Sequence, residues 1–312
     1  MNQHIIPEDD IPEGHRSGFV AVIGRPNVGK STLMNAFLGQ KVAIVTPRPQ
    51  TTRTAQLGII TEPDYQIVFV DTPGLMQPRH KLDEFMLETA TEQYLDADVI
   101  LWLVDGSASP DEEEIDIAGN LRPLAEKAHL ILAINKSDLL DPEAVIPRTD
   151  AYRALLPEGT DWLLFSAVTG LGVGALLEMI LNALPEGPRY YPTDQVTDTY
   201  MRDLAAEMVR EQLLIQLREE VPHGTVVQVG EFKERENGVI YISATIYVER
   251  ETHKQIVIGK KGSQLRSIGQ AARPEIEALT GSPVYLDLWV KVAPKWRRDE
   301  NALKRFGYSK PA

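Results

Sequence analysis

Gly24-Arg25-Pro26-Asn27-Val28-Gly29-Lys30-Ser31 is the stretch that decides the reading of this chain. It follows the apolar run Phe19–Ile23 and opens the helical pattern Thr32–Leu38, so a Gly-x-x-x-x-Gly-Lys-Ser loop lies between strand and helix. Glycines let backbone N–H groups close around phosphate oxygens at a helix N-terminus, where those donors have no intrahelical partner. The Lys30 ammonium would reach the terminal phosphates and the Ser31 hydroxyl would ligate magnesium. Gly24 through Thr32 are the expected phosphate-loop residues.

Around that loop, apolar runs alternate with longer amphipathic stretches: Gly18–Ile23, Gln66–Val70, Asp98–Asp105, Ala128–Asn135 and Asp161–Ser166. Near-continuous apolar runs separated by helical patterns predict buried parallel strands with crossover helices, an α/β domain. Ligands of such folds gather at the carboxyl ends of the strands, and three further motifs stand there. Asp71-Thr72-Pro73-Gly74 offers a carboxylate for a magnesium-bound water and a Gly74 N–H for the terminal phosphate. Asn135-Lys136-Ser137-Asp138 chooses the base: the Asp138 carboxylate can accept from the ring N–H and exocyclic amine of guanine. Adenine lacks that pair and would leave the acid unpaired. Lys136 can lay its stem along the base, and a backbone N–H of Ser166-Ala167 can meet the guanine carbonyl.

The second half reads differently. A helical pattern over Asp198–Val221 carries Leu204, Met208, Leu213 and Leu217 on one side. Strands at Thr225–Phe232 and Val239–Val248 flank Asn237-Gly238, a strong hairpin signal. Two helical stretches then flank Gly259-Lys260-Lys261-Gly262, before a strand at Pro283–Val292. Two glycines let a backbone turn approach a sugar–phosphate chain, and Lys260 and Lys261 supply charge. Ile256, Ile258 and Ile268 are candidates for an apolar cleft floor; Arg266, Lys291, Lys295 and Arg297 add charge, and Trp296 can stack on a base. Pro274, inside the second of these helices, predicts a kink there.

From 18 to about 184 the ordered motifs resemble the translation-factor-like GTPases, and the helix–strand–strand–helix–Gly-x-x-Gly–helix–strand order resembles a type II KH domain. Together, from about 18 to 308 and including Leu288–Val292 and the tail Leu303…Phe306-Gly307-Tyr308, the chain resembles the Era-type bacterial GTPases. The resemblance implies GTP and GDP as ligands with Mg2+, a switch threonine at Thr52 capping the magnesium, and Lys30, Thr52 and Gly74 as the catalytic set. Ser31, Thr52 and Asp71 are then the metal residues. It implies K+ supported by Asn27, because related GTPases with the same Arg-Pro-Asn loop use that asparagine so. Leu75 stands where Ras-like proteins carry a water-orienting glutamine, so intrinsic hydrolysis is expected to be slow. The implied partners are the single-stranded 3′ end of small-subunit ribosomal RNA and the small ribosomal subunit, in a monomeric protein that assists subunit maturation. The expected organisation is a tail (1–17), a GTPase domain (18–184), a Pro/Gly-rich linker (185–197) and a KH domain with a basic tail (198–312).

Charge agrees with that division. The 312 residues carry 32 basic and 45 acidic side chains, a net of −13, which by itself argues against a nucleic-acid binder. Through residue 184 there are 13 basic and 27 acidic residues, whereas Lys254–Lys310 has 12 and 5. The chain has no cysteine, which excludes disulfides, thiolate metal sites and cysteine nucleophiles. No apolar run approaches a membrane span, and the acidic, proline-bearing start does not fit a signal peptide. A cytoplasmic protein with a peripheral inner-membrane fraction is the expected location. Two rivals stand beside this reading: a signalling-type GTPase whose KH-like unit docks proteins, and a P-loop nucleotide kinase or ATPase, which Asp138 disfavours.

Overall fold

The structure is a computed structural model and describes residues 11–46, 48, 51–53, 56–71, 81–82, 86 and 97–308. The chain divides into two compact units: Met1–Val42, Thr52–Met76 and Leu87–Asp198 form the first, and Ala43–Thr51, Gln77–Met86 and Thr199–Ala312 form the second.

The first unit is built on strands β1 (Arg16–Ile23), β2 (Gln56–Glu62), β3 (Tyr65–Asp71), β4 (Val99–Asp105), β5 (His129–Asn135) and β6 (Asp161–Leu164). Their order is β2-β3-β1-β4-β5-β6, and every neighbouring pair is parallel except β2 against β3. The continuous apolar run of β4 is explained by its two faces. Val99, Leu101 and Leu103 join one core, whereas Ile100, Trp102 and Val104 join the other. A strand covered on both sides has no face left for polar residues. Helices α1 (Lys30–Leu38) and α4 (Val173–Ala183) cover the first face with Leu33, Met34, Leu176 and Ile180. Helices α2 (Glu112–Leu121) and α3 (Val145–Arg153) cover the second with Ile117, Leu121 and Tyr152.

The Pro/Gly-rich segment 185–197, read from sequence as a linker, is a strap fastened to this unit. Ser17 N donates to Pro185 O (3.1 Å), Gly187 N to His15 O (3.0 Å) and Ile59 N to Val196 O (2.8 Å). The buried Gln66 side chain accepts from Tyr190 N (2.7 Å) and Tyr191 N (2.9 Å) and donates to Tyr191 O (2.8 Å). Proline removes donors but leaves carbonyls, and Pro185 O and Pro188 O both accept from Ser17. Arg16 and Ser17, expected in the tail, belong to β1.

The second unit contains α5 (Met201–Gln216), the hairpin β7 (Val226–Glu234) and β8 (Ile240–Val248), α6 (Glu251–Ile258), α7 (Ser263–Thr280), β9 (Val284–Val292) and α8 (Glu300–Arg305). The sheet order is β7-β8-β9, with β8 and β9 parallel. Leu204, Met208, Leu213 and Leu217 are buried as their helical spacing predicts. Arg210, Glu211 and Gln212 are buried too, and Thr51 and Val45, which belong to this unit, meet the first two. Arg210 pairs with Glu207 at 2.5 Å and donates to Thr51 O, and Glu211 accepts from Val45 N at 2.8 Å. The α7 helix runs as one element through Pro274 and on to Thr280.

Candidate functional site

The phosphate loop joins β1 to α1. Asn27 (φ 66°) and Gly29 (φ 106°) turn the backbone left-handed, and α1 starts at Lys30. Lys30 is buried, and its Nζ donates to Gly24 O and Arg25 O, both at 2.8 Å, so the ammonium is curled into the loop. Desolvation pushes its pKa down to about 8, against the pull of Asp71. The side chain of Arg25 points elsewhere, onto Asp111 (2.5 Å) and Glu113 (2.8 Å), so only its backbone belongs to the loop. Val28 is a core side chain, Asn27 is exposed, and Pro26, Ser31 and Thr32 are half-buried.

Ser31, Thr52 and Asp71 are brought together. Ser31 Oγ lies 3.0 Å from Asp71 Oδ2 and 3.2 Å from Thr52 Oγ1, and Thr52 Oγ1 lies 3.4 Å from the same carboxylate oxygen. Asp71 is fully buried, and its Oδ1 has no hydrogen-bond partner among the described residues. Burial raises its pKa, partly offset by Lys30, Ser31 and Thr52. Two hydroxyl oxygens beside an unsatisfied buried carboxylate are hard donors of the kind that a small divalent cation takes. Gly74, with Thr72, Pro73 and Leu75, lies outside the described residues.

Asn135 has a role that its motif does not reveal. It is buried at the end of β5; its Nδ2 donates to Val28 O (2.8 Å) and its Oδ1 accepts from Ala167 N (2.9 Å). One amide thus ties the phosphate loop to the loop after β6. Ala167 N is thus bonded to Asn135 and Ser166 N donates to Leu171 O (2.9 Å), so a base carbonyl meeting the expected Ser166-Ala167 backbone would share or displace one of these two bonds. Lys136 takes a left-handed conformation (φ 67°) and pairs with Asp105 at 2.5 Å, while Asp138 is exposed on the following turn.

In the second unit, Gly259 (φ 70°), Lys261 (φ 52°) and Gly262 (φ 77°) form the turn between α6 and α7, with Lys260 and Lys261 exposed. A groove of about 440 Å³ opens beside it, between α7 and β9. Gly262 and Arg266, both read from sequence as RNA-binding, line it together with Gly269, Arg273, Tyr285 and Leu288, which the motif does not mark. A Cβ on Gly269 would stand 3.3 Å from Leu288 Cδ1, so the small residue widens the groove. The signal available in the sequence was the helical spacing of Arg266, Gly269 and Arg273 (i, i+3, i+7).

The structure contradicts three expectations, at Trp296, Arg297 and Ile268. Trp296 is wholly buried; its Nε1 donates to Gly224 O (2.9 Å) and its ring packs on Phe306 and Tyr308, so it cannot stack on a base. Arg297 is committed to Glu249 at 2.7 Å. Ile268 is core, and neither Ile256 nor Ile258 lines the groove: helical rotation turns Ile256 outward, 48% exposed. Lys291 and Lys295 are exposed but lie outside that lining.

A family model for 50S ribosome-binding GTPases matches residues 19–136, and a KH-domain model matches residues 220–297. GTPase Era of Halothermothrix orenii is 48% identical over 294 residues, covering 94% of this chain and 99% of its own length. GTPase Era of Geobacter metallireducens is 47% identical, with 94% and 98% covered. Among solved structures, Era in complex with MgGDPNP and nucleotides 1506–1542 of 16S ribosomal RNA is 41% identical, with a TM-score of 0.90 over 95% of this chain and 99% of that one. A single-residue variant of Aquifex aeolicus Era bound to GDP and AlF4− is also 41% identical, with a TM-score of 0.89 over 94% and 99%. With likeness running along nearly the whole of both partners in each case, the chain belongs to the Era family of GTPases.

Proposed function

We propose that this chain is a GTP-hydrolysing switch that binds the single-stranded 3′ end of small-subunit ribosomal RNA in the groove beside Gly259–Gly262, and assists maturation of the small subunit. One observation carries the reading. The Era structure that is 41% identical holds MgGDPNP and 16S nucleotides 1506–1542 in one complex, and this chain has both a phosphate loop and a Gly-Lys-Lys-Gly groove. Asp138 reads guanine, Asn135 ties the phosphate loop to the loop after β6, and Lys30 with the Gly74 N–H meets the terminal phosphate. Ser31, Thr52 and Asp71 hold Mg2+, which supplies positive charge against the charge that develops on the transferred phosphoryl group. Asn27 supports K+, so hydrolysis is faster in potassium than in sodium. The protein acts as a monomer in the cytoplasm, with a peripheral inner-membrane fraction; among the described residues no helix is long and apolar enough to cross a membrane.

Sequencing RNA crosslinked to the protein with a non-hydrolysable GTP analogue tests the reading. The expected result is enrichment of the 3′ end of small-subunit ribosomal RNA, lost in the Lys260→Glu, Lys261→Glu variant. Recovery of protein partners without RNA would favour the signalling-type GTPase instead.

A further inference from the structure

Strand β9 alternates with period two. Val284, Leu286, Leu288, Val290 and Val292 pack against the helices, so Tyr285, Asp287, Trp289 and Lys291 face away from them. Tyr285 and Trp289 are 58% and 57% exposed, an unusual display for large aromatic rings on a sheet. They are also held in place. Tyr285 stacks on its register partner Tyr241, centroids 5.9 Å apart and planes 23° apart. Asp287 Oδ2 accepts from Trp289 Nε1 at 2.9 Å and from the Tyr241 hydroxyl at 3.4 Å. The Arg235 guanidinium stands 4.5 Å from the Tyr241 centroid and 5.7 Å from that of Tyr285. Neither Arg235 nor Lys291 has a carboxylate partner among the described residues, whereas nearby Lys233 reaches Glu231 at 3.5 Å.

We propose that this outer sheet face is a second binding site, a stacking platform for unpaired nucleotides that leave the groove over the β9 edge. Tyr285 lines the groove and also belongs to the outer row, so the two surfaces are continuous. The chemistry selects nucleic acid over protein. The rings are interleaved with Asp287, Ser243 and Thr245 instead of forming a continuous apolar patch. Two cations without acidic partners flank them and answer phosphates, and the Asp287 carboxylate can accept from an exocyclic base amine. Rings tied down before binding lose little freedom when a base stacks on them.

The inference rests on the reading of this chain as an RNA-binding protein, and the test separates the two. Anisotropy titrations use the full chain with a labelled tetranucleotide, which fills only the groove, and a labelled dodecanucleotide from the 3′ end of 16S ribosomal RNA. Trp289→Ala, outside the groove lining, should weaken the dodecanucleotide about fivefold or more and leave the tetranucleotide within about twofold. Trp289→Phe should recover most of that loss, because a ring face is kept. Binding of both RNAs unchanged in the alanine variant would overturn this inference alone. Failure of the wild-type chain to bind either RNA would overturn it together with the reading of the groove.

Discussion

Replacing Asn135 by alanine should loosen the nucleotide unit without touching any phosphate contact. The amide makes two buried bonds, to Val28 O at 2.8 Å and from Ala167 N at 2.9 Å, and both partner residues are themselves buried. Alanine deletes the amide and leaves a carbonyl and an N–H without partners. An orphaned buried polar group costs about 1–3 kcal/mol, so the pair predicts about 2–6 kcal/mol. Urea unfolding, followed by a signal from the first unit, measures the loss, and release of a fluorescent GDP analogue measures the slackening of the loop. Asn135→Asp should fall between the two proteins in stability. It keeps an acceptor for Ala167 N–H but turns an oxygen toward the Val28 carbonyl. Gly29→Ala should act on the same amide from the other side, because its Cβ would stand 2.3 Å from Asn135 Nδ2. A loss below about 1 kcal/mol with unchanged GDP release in Asn135→Ala would refute the bridge as what joins the two loops.

Lys30 and the Gly-Lys-Lys-Gly turn give two more predictions. With its pKa near 8 in the nucleotide-free chain, Lys30 is increasingly neutral above that pH, and bound phosphates would restore its proton. Binding should therefore take up a proton, and GDP affinity should fall as pH rises from 8 to 9, by at most about tenfold per unit. Calorimetry in two buffers of different ionisation enthalpy reads the proton directly; flat affinity from pH 7 to 9 would refute it. Without nucleotide the unfolded chain binds the extra proton between about 8 and 10.5, so this group makes stability rise over that range. Gly259→Ala should cost more stability and RNA affinity than Gly262→Ala. Both positions are left-handed, but a Cβ on Gly259 would lie 2.6 Å from Gln264 Cβ and 2.8 Å from its backbone N, whereas one on Gly262 meets nothing within 4 Å. Paired urea and RNA titrations decide; equal losses would refute the clash.

The sequence by itself determined the elements whose chemistry is local. Gly24–Ser31 dictates a strand–loop–helix, and the runs at β1, β3, β4 and β5 dictate buried parallel strands, with the half-exposed β6 at the edge. Asn237-Gly238 dictates a hairpin, because these patterns fix backbone conformation or two-sided burial within a few residues. The antiparallel edge strand β2, Gln56–Glu62, escaped because its Gly58 and polar ends give it no alternation to read. Only tertiary structure decided which distant groups meet. It turned Asn135 from part of a base motif into the tie between two loops, and the linker into a strap on Gln66. It sank Trp296 and Ile268 into the core, and it brought Gly269 and Leu288 together as groove walls. Whether a side chain is a wall, a core residue or a ligand depends on the surface folded against it. That surface comes from residues far away in the chain, which no local pattern specifies.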